Sequence, residues 1–236
     1  MLSLITAILL FFGTITPSAA EAEQAKPPLD IGRINSVTIT GEASSIVFTA
    51  GDGPPYQARI IATRSGWFSG WYSSWFADQC ATRTTMEIRE QTLRIHVVNA
   101  PFLSLSDCAV LIRASLPAGS DVSIEQAALQ ARLTGDYGAV RIKGHAADFA
   151  LDGHAASLDI SGDAVRSDLR FARVSSSETI RLDSRALDAS FAFGKDVSIS
   201  YAVDAKASLV DSKRDSTPGA KPAISIKSDY ARVTIR

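Results

Sequence analysis

The sequence predicts an all-β chain whose second half is a coiled stack of short strands, a β-solenoid. From about residue 119 onward, pairs of apolar residues separated by a single residue recur, and this alternation is typical of a strand with one buried face. Gly, Ser, Asp and Ala separate the pairs, and no apolar period of 3.6 residues persists, so helices are disfavoured. The pairs are Val122/Ile124, Leu129/Ala131, Val140/Ile142, Phe149/Leu151, Leu158/Ile160, Leu169/Phe171, Ile180/Leu182, Ala189/Phe191 and Val197/Ile199.

The spacing of the pairs predicts rungs of about twenty residues. One series recurs at a constant step of twenty: Phe149, Leu169, Ala189 and Leu209. A second series has unequal steps that all lie close to twenty: Ile124, Ile142, Ile160, Leu182 and Ile199. A period that carries two strands favours a solenoid, because each rung then buries its apolar residues against its neighbours. A β-sandwich is the alternative, since short strands at regular spacing also describe that class.

Stacking of the rungs also predicts two columns of charged residues. If Arg141, Asp159 and Arg181 share a column, opposite charges lie about 4.8 Å apart on adjacent rungs. The other column would stack three like charges: Asp148, Asp168 and Asp188. A calcium ladder is one interpretation of the acidic column. However, the chain lacks a dense Gly- and Asp-rich repeat, so we interpret each Asp as an acceptor for N–H groups in a turn.

A family resemblance rests on two runs of sequence. These are LPAGSDVSIEQAALQARLTGDYGAVRIKG at 116–144 and LDGHAASLDISGDA at 151–164. They resemble the bacterial putative-adhesin domain of unknown function, which is similar to the head domain of putative autotransporter adhesins and has a Leu-Pro-x-Gly entry before short strands punctuated by Gly and Asp. The resemblance covers about 109–236 well and 33–64 weakly. It implies a right-handed β-helix-like fold at or outside the cell envelope, and it brings no established catalytic residue.

The N-terminus predicts export. Residues 1–20 contain no charged side chain, and an apolar run at 2–12 is followed by Pro17 and the small residues at 18–20. This pattern is typical of a secretory signal peptide, and the run is shorter than the ~20 apolar residues that span a membrane. We expect a cleaved signal at 1–20, with an uncleaved anchor as the alternative, and a flexible mature N-terminus at 21–32. The chain would then be periplasmic or associated with the cell surface.

Export also bears on the cysteines, of which the chain has 2. Two cysteines in an oxidising compartment most simply form a disulfide, here between Cys80 and Cys108. In the chain-entropy model such a loop stabilises the fold by ~3–4 kcal/mol. A redox or nucleophilic role is disfavoured because the sequence lacks C-x-x-C spacing.

Residues 33–118 predict an N-terminal β region, which forms the first coils or a cap on the repeat region at 119–236. This region carries an aromatic loop at 65–80 that contains all 3 tryptophans of the chain. The loop is either a hydrophobic plug over the first rung or an exposed recognition surface. The partner would be an envelope glycan, a membrane surface or another envelope protein. The predicted binding residues are Trp67, Phe68, Trp71, Tyr72, Trp75 and Phe76.

No motif in the sequence predicts catalysis. The formal net charge of −1 argues against a nucleic-acid partner. His96, His145 and His154 have no carboxylate or thiol at ligand spacing, and there is no nucleophile elbow or phosphate loop. We therefore predict a non-enzymatic, exported, adhesin-like binding module without a catalytic residue, metal or cofactor. The alternatives are a carbohydrate-active β-helix enzyme and a structural envelope protein that self-associates through the unpaired strands at the solenoid ends.

Overall fold

The computed structural model describes residues 27–64, 83–98, 108–175 and 177–236, and these residues confirm the all-β prediction. No helix occurs within them, and none of them belongs to a segment that could cross a bilayer as a helix. The strands are β1 (Leu29–Asp30), β2 (Ser36–Gly51), β3 (Gln57–Arg64), β4 (Thr85–Arg89), β5 (Thr92–Val97), β6 (Cys108–Pro117), β7 (Ser120–Phe171), β8 (Thr179–Phe193), β9 (Ser200–Ser212) and β10 (Ala223–Ile235).

The strands form one open sheet in the order β1-β3-β6-β2-β7-β8-β10-β9, and β5 joins it beside β2. Every pairing from β6 through to β9 is parallel. The pairings of β3 with β1 and β6, and of β4 with β5, are antiparallel. The regular parallel part therefore lies between an antiparallel border on one side and the edge strand β9 on the other.

The longest strand, β7, has 52 residues and lies against itself. Lys143 Nζ is 2.8 Å from Glu125 Oε1, 18 residues earlier. The N–H of Ala139 donates to Asp121 Oδ1 at 2.7 Å, again across 18 residues. A straight strand of this length would extend ~170 Å, so these contacts mean that consecutive segments of β7 lie side by side.

The step between neighbouring segments is longer from β7 to β8, where Ile160 pairs with Leu182 and Leu169 pairs with Phe191. The prediction that Leu169 stacks on Ala189 was therefore wrong. The number of residues between paired positions is smaller than twenty within β7 and larger than twenty from β7 to β8. Because the two values average to about twenty, apolar residues recur in the sequence at a constant interval of twenty although they do not pair with one another. The extra residues lie in the connection at 172–178.

The same register decides the two charged columns. Asp159 pairs with Arg181, as predicted for the column of mixed charge. The acidic column was wrong, because Asp168 pairs with Ser190 and Asp188 pairs with Arg166. An arginine thus lies beside Asp188 where a calcium ladder would need another carboxylate.

The predicted apolar pairs form a continuous core. Every member of the nine pairs is buried except Val197, which is half-buried. Aromatic rings fill the part of the core near β8, where the Phe171 and Phe193 centroids are 5.3 Å apart. Two further apolar pairs with the same spacing, Ile224/Ile226 and Val233/Ile235, are buried on β10. However, β10 inserts between β8 and β9, so Leu182 pairs with Ile226, and Ile199 instead bridges Ser216.

Candidate functional site

The stacked strands share a corner at which two consecutive side chains face the solvent, as at 127–128 and 163–164. The inward position just before the corner is small on several strands, as at Gly144, Gly162 and Ser184. A Cβ added to Gly162 would lie 2.2 Å from the carbonyl oxygen of Gly144. A side chain is therefore excluded at Gly162, because its backbone approaches that of Gly144 closely at the corner.

A groove of about 1080 Å³ runs beside this corner, across the strands. One column along it consists almost entirely of alanine, because Ala43 pairs with Ala128 and Ala164 pairs with Ala186. Tyr230 interrupts the column between β8 and β9. We call this feature the alanine groove, and its column is Ala43, Ala128, Ala146, Ala164, Ala186, Tyr230 and Ala207.

The floor of the alanine groove is formed by the residue after each member of the column. These residues are apolar and belong to the core on β7, β8 and β10, whereas Ser44 and Ser208 take this position on β2 and β9. Each of the five on β7, β8 and β10 keeps only 4 to 7% of its surface exposed: Leu129, Ala147, Val165, Leu187 and Ala231. An open strip of carbon atoms therefore lies along the groove.

One wall of the groove carries charges of alternating sign. Arg166 pairs with Asp188, which pairs with Arg232 on β10. Asp148 lies on the same wall, and Arg132 Nη2 donates to its Oδ2 at 3.0 Å. The hydrogen bond from Arg132 lowers the pKa of Asp148 below its ordinary value. This carboxylate therefore stays ionised at neutral pH.

A second charged column runs along the other side of the corner. It precedes the alanine column and also alternates in sign. His145 Nδ1 is 2.7 Å from Asp163 Oδ2, and Lys206 Nζ is 2.8 Å from Asp229 Oδ1. A smaller hollow of about 450 Å³ opens beside it, with His145 and Asp163 in its lining. The column is Glu42, Ala127, His145, Asp163, Arg185, Asp229 and Lys206.

Together the two charged columns are nearly balanced in charge. The acidic members are Glu42, Asp148, Asp163, Asp188 and Asp229. The basic members are Arg166, Arg185, Arg232 and Lys206. Five acidic and four basic side chains give a formal sum of −1 with His145 neutral. Because the excess is a single charge, the groove offers little long-range attraction to a highly charged polymer.

The predicted aromatic site lies outside the described residues. Trp67, Phe68, Trp71, Tyr72, Trp75, Phe76 and Cys80 all fall in the undescribed stretch at 65–82. The described residue directly before this stretch, Arg64, pairs with Cys108. The next two residues, Ala109 and Val110, line one end of the alanine groove. The chain thus enters the aromatic segment beside the groove, and the aromatic surface and the disulfide stay predictions.

The histidines have partners that sequence spacing did not predict. His145 contacts Asp163, which lies on the neighbouring segment of β7. His154 Nδ1 lies 3.4 Å from Glu178 Oε1, in the connection before β8. His96 Nδ1 is 3.0 Å from Thr40 Oγ1. Within the described ranges, no three His, Cys, Asp or Glu side chains come together to hold a metal ion.

Sequence reasoning also missed the alanine groove, although its signal was present. Ala128, Ala146 and Ala164 recur at a constant interval, and Ala186 follows after a slightly longer one. Each stands beside an apolar residue and outside the alternation of a simple strand. Exposed alanines carry no chemistry of their own, so their role is visible only once the strands are stacked.

Comparisons with known proteins give similarity in three-dimensional structure only. No protein-family model matches the chain, and no curated protein does. A putative cell adhesion protein from Clostridium sporogenes is 8% identical, with 90% of this chain and 97% of that chain covered and a TM-score of 0.36. A putative adhesin from Bacteroides fragilis is 10% identical, with 89% and 95% covered and a TM-score of 0.41. A putative lipid binding protein from Parabacteroides distasonis is 12% identical, with 90% and 96% covered and a TM-score of 0.28.

Proposed function

We propose that this chain is a non-enzymatic, exported, adhesin-like module that holds a linear, uncharged ligand in the alanine groove. The observation that carries the proposal is the groove itself, an apolar strip between two columns of mixed charge. It crosses eight neighbouring strand segments. At ~4.8 Å between strands, its length is about 35 Å.

The proposed architecture is a right-handed β-solenoid, with residues 33–118 as its first coils and cap and 119–236 as its repeat region. Two observations support it over a β-sandwich. The pairings from β6 to β9 are all parallel, whereas the strands of a sandwich pair mainly antiparallel. Contacts between consecutive segments recur at a constant separation within β7. A solenoid makes the groove a regular surface, because each rung presents the same kind of residue at the same position.

A neutral glycan chain is the ligand class that this surface suits best. Sugar rings have apolar faces, which can lie on the carbon strip of the floor, and hydroxyl groups at their edges. Carboxylates such as Asp188 accept hydrogen bonds from hydroxyl groups, and guanidinium groups such as that of Arg166 donate them. Both kinds of group alternate along the wall, and a polar minority beside an apolar lining is typical of small-molecule sites. An acyl chain would use the floor alone and leave the charged walls without a role.

The aromatic segment is proposed as a second contact for the same ligand. Its six aromatic residues, at 67–76, combine flat apolar surface with polar N–H and O–H groups, which suits sugar rings. The segment follows Arg64, whose pairing with Cys108 lies beside the groove. In this proposal the groove contacts the ligand along its length, and the aromatic residues strengthen binding at one end of it.

The test is a binding titration with fluorescently labelled neutral oligosaccharides of increasing length. Ala164→Phe fills the groove at an exposed position, and we expect it to weaken binding about tenfold or more, since overfilling a packed contact costs ~1–3 kcal/mol. Ala156→Phe is the matched control, because Ala156 is exposed on β7 but lies outside the groove. Affinity should rise with oligosaccharide length and change little with salt.

Three outcomes would contradict the proposal. Equal binding by both variants would place the ligand outside the groove. Binding of zwitterionic phospholipid vesicles in place of oligosaccharides would identify an apolar chain as the ligand. Cleavage of the oligosaccharide during the titration would favour the carbohydrate-active enzyme over a non-enzymatic module.

A further inference from the structure

The edge strand β9 has two halves that differ in how their outer side is covered. The first half is covered by the chain itself. Ser216 Oγ accepts the N–H of Tyr201 at 2.9 Å and donates to the Tyr201 carbonyl at 3.1 Å. The N–H of Thr217 donates to the carbonyl of Ile199 at 2.9 Å. Two charged residues, Asp204 and Lys206, follow on the same half.

The second half of β9 is less protected. Among the described residues, it pairs with β10 alone, and its residues 207–210 are uncharged, although Asp211 follows them. Leu209 is 64% exposed and Val210 is 38% exposed, and the neighbouring Tyr230 on β10 is 66% exposed. Edge strands of monomeric proteins usually carry charges, prolines or covering loops that prevent pairing. Residues 207–210 of β9 therefore have the composition of a strand that is covered by another strand.

The position of Leu209 supports the same interpretation. Leu209 pairs with Arg232, which pairs with Asp188, which pairs with Arg166. The groove wall is therefore charged on three successive strands and becomes apolar only on the strand that ends the sheet. An apolar side chain there gains free energy only if something covers it.

We propose that β9 pairs antiparallel with β9 of a second copy, about a twofold axis at Leu209. A twofold contact needs a self-complementary patch, and this register provides one. Ser208 would face Val210 of the second copy, and both lie on the core side, because they pair with the buried Ala231 and Val233. Ala207 would face Asp211 of the second copy, so no two like charges meet.

The consequence is a dimer in which the β9 ends of the two alanine grooves lie next to each other, on opposite sides of the Leu209 pair. Leu209 lines the groove on β9 and Tyr230 lines it on β10, and the exposed second half of β9 would be covered. A second copy suits this edge better than an unrelated strand, because the core-side residues of both chains then fall on one side of the extended sheet. The inference does not depend on which ligand the groove holds.

The first test is the oligomeric state of the full chain by light scattering and sedimentation over a range of concentrations. We expect a dimer, and we expect Leu209→Lys to raise the dissociation constant at least about tenfold, since like charges directly opposite each other destabilise strand pairing. Ile88→Lys is the matched control. Ile88 is 42% exposed on β4, a strand that pairs with β5 alone among the described residues, and the variant should remain dimeric.

A cysteine variant tests the register independently of any loss of stability. Residues directly opposite in an antiparallel pair have Cα atoms ~4.5–5.5 Å apart, which is within reach of a disulfide. Leu209→Cys should therefore form a covalent dimer under oxidising conditions, whereas Ala202→Cys, on the covered half of β9, should not. A wild-type chain that stays monomeric at the highest attainable concentration would overturn the proposal. So would a Leu209→Lys chain that stays dimeric, or cross-linking that is equal at the two positions.

Discussion

His154 Nδ1 lies 3.4 Å from Glu178 Oε1, and the Glu178 side chain is fully buried. The same carboxylate accepts the N–H of Ser175, the N–H of Ser177 at 3.1 Å and the Ser175 hydroxyl at 2.9 Å. These contacts hold the connection at 172–178, where the step between neighbouring strands becomes longer than it is within β7. A single buried carboxylate thus holds the loop across which the offset between neighbouring strands changes.

This site predicts an acid-dependent loss of stability. Burial raises the pKa of Glu178, but the hydrogen bonds from Ser175 and Ser177 together outweigh it, so the pKa lies below the ordinary value of 4.5. A carboxyl group whose pKa is lower in the folded state stabilises the fold above the unfolded pKa and loses that contribution as the pH falls through the folded pKa. Glu178→Gln should therefore lower the free energy of unfolding by ~1–3 kcal/mol at pH ~7, and by less as the pH falls below about 4.

Urea denaturation at the two pH values measures the difference. Glu87→Gln is the control, because Glu87 is exposed and pairs only with Arg89 at 2.8 Å among its described contacts, so its loss should change stability by less than ~1 kcal/mol. If Glu178→Gln costs the same at both pH values, the buried charge does not stabilise the loop.

A second prediction concerns Gly153, which lies within β7 beside Gly135. Gly153 has φ +147°, and a Cβ added there would lie 2.1 Å from the carbonyl oxygen of Gly135. Gly153→Ala adds backbone strain and a contact with a backbone atom that cannot move aside, so we expect a loss of ~3 kcal/mol or more. Gly51→Ala is the control, because no atom lies within 4 Å of its added Cβ. Thermal unfolding should separate the two variants clearly, and equal melting temperatures would contradict the close stacking of Gly135 on Gly153.

Much of the fold could be predicted because burial alternates with a period of two in each strand. This alternation identifies the core pairs, and the predicted series that contains Ile160 and Leu182 agrees with their pairing in the sheet. The register of β8 against β7 could not be predicted, since it depends on how many residues belong to the loop at 172–178. The spatial order of β9 and β10 could not be predicted either. The strand β9 comes first in the sequence but lies at the edge of the sheet, and β10 lies between β8 and β9.

The candidate site was harder to predict than the fold. Sequence motifs reveal sites made of reactive side chains, and the alanine groove has none along its floor. In the sequence, the charged residues of its walls cannot be distinguished from ordinary surface residues. Only the strand pairing shows that Arg166, Asp188 and Arg232 form one row across three strands. The aromatic segment is conspicuous in the sequence because its composition is unusual, whereas the groove is built from small alanine residues that recur at regular intervals.

A third prediction concerns Arg214, which holds the loop between β8 and β9. Its guanidinium group donates to four carbonyl oxygens, those of Phe193 at 3.0 Å, Gly194 at 2.9 Å, Lys195 at 3.3 Å and Val197 at 3.0 Å. A lysine cannot reproduce this planar fork of donors. Arg214→Lys should lower the free energy of unfolding by ~1–3 kcal/mol.

Arg214→Lys should also destabilise the loop locally, in addition to lowering the free energy of unfolding. Hydrogen exchange should accelerate at 194–199 and along β9 more than in β7, because the loop opens without unfolding the stack. Arg89→Lys is the control, since Arg89 is exposed and pairs with Glu87 on the same strand. Uniform acceleration throughout the chain would mean that Arg214 stabilises the whole fold and does not specifically hold the loop.

The last prediction tests the aromatic segment, whose recognition role rests on sequence alone. All three tryptophans of the chain lie within 67–75, so intrinsic tryptophan fluorescence reports on that segment only. If it is a recognition surface, the free protein should emit at long wavelength, be accessible to a soluble quencher, and shift to shorter wavelength when neutral oligosaccharide is added. Ala164→Phe adds no tryptophan and blocks the groove, so a shift that disappears in this variant links the segment to the groove. Emission at short wavelength that no quencher reaches and no addition changes would mean that Trp67, Trp71 and Trp75 form a hydrophobic plug.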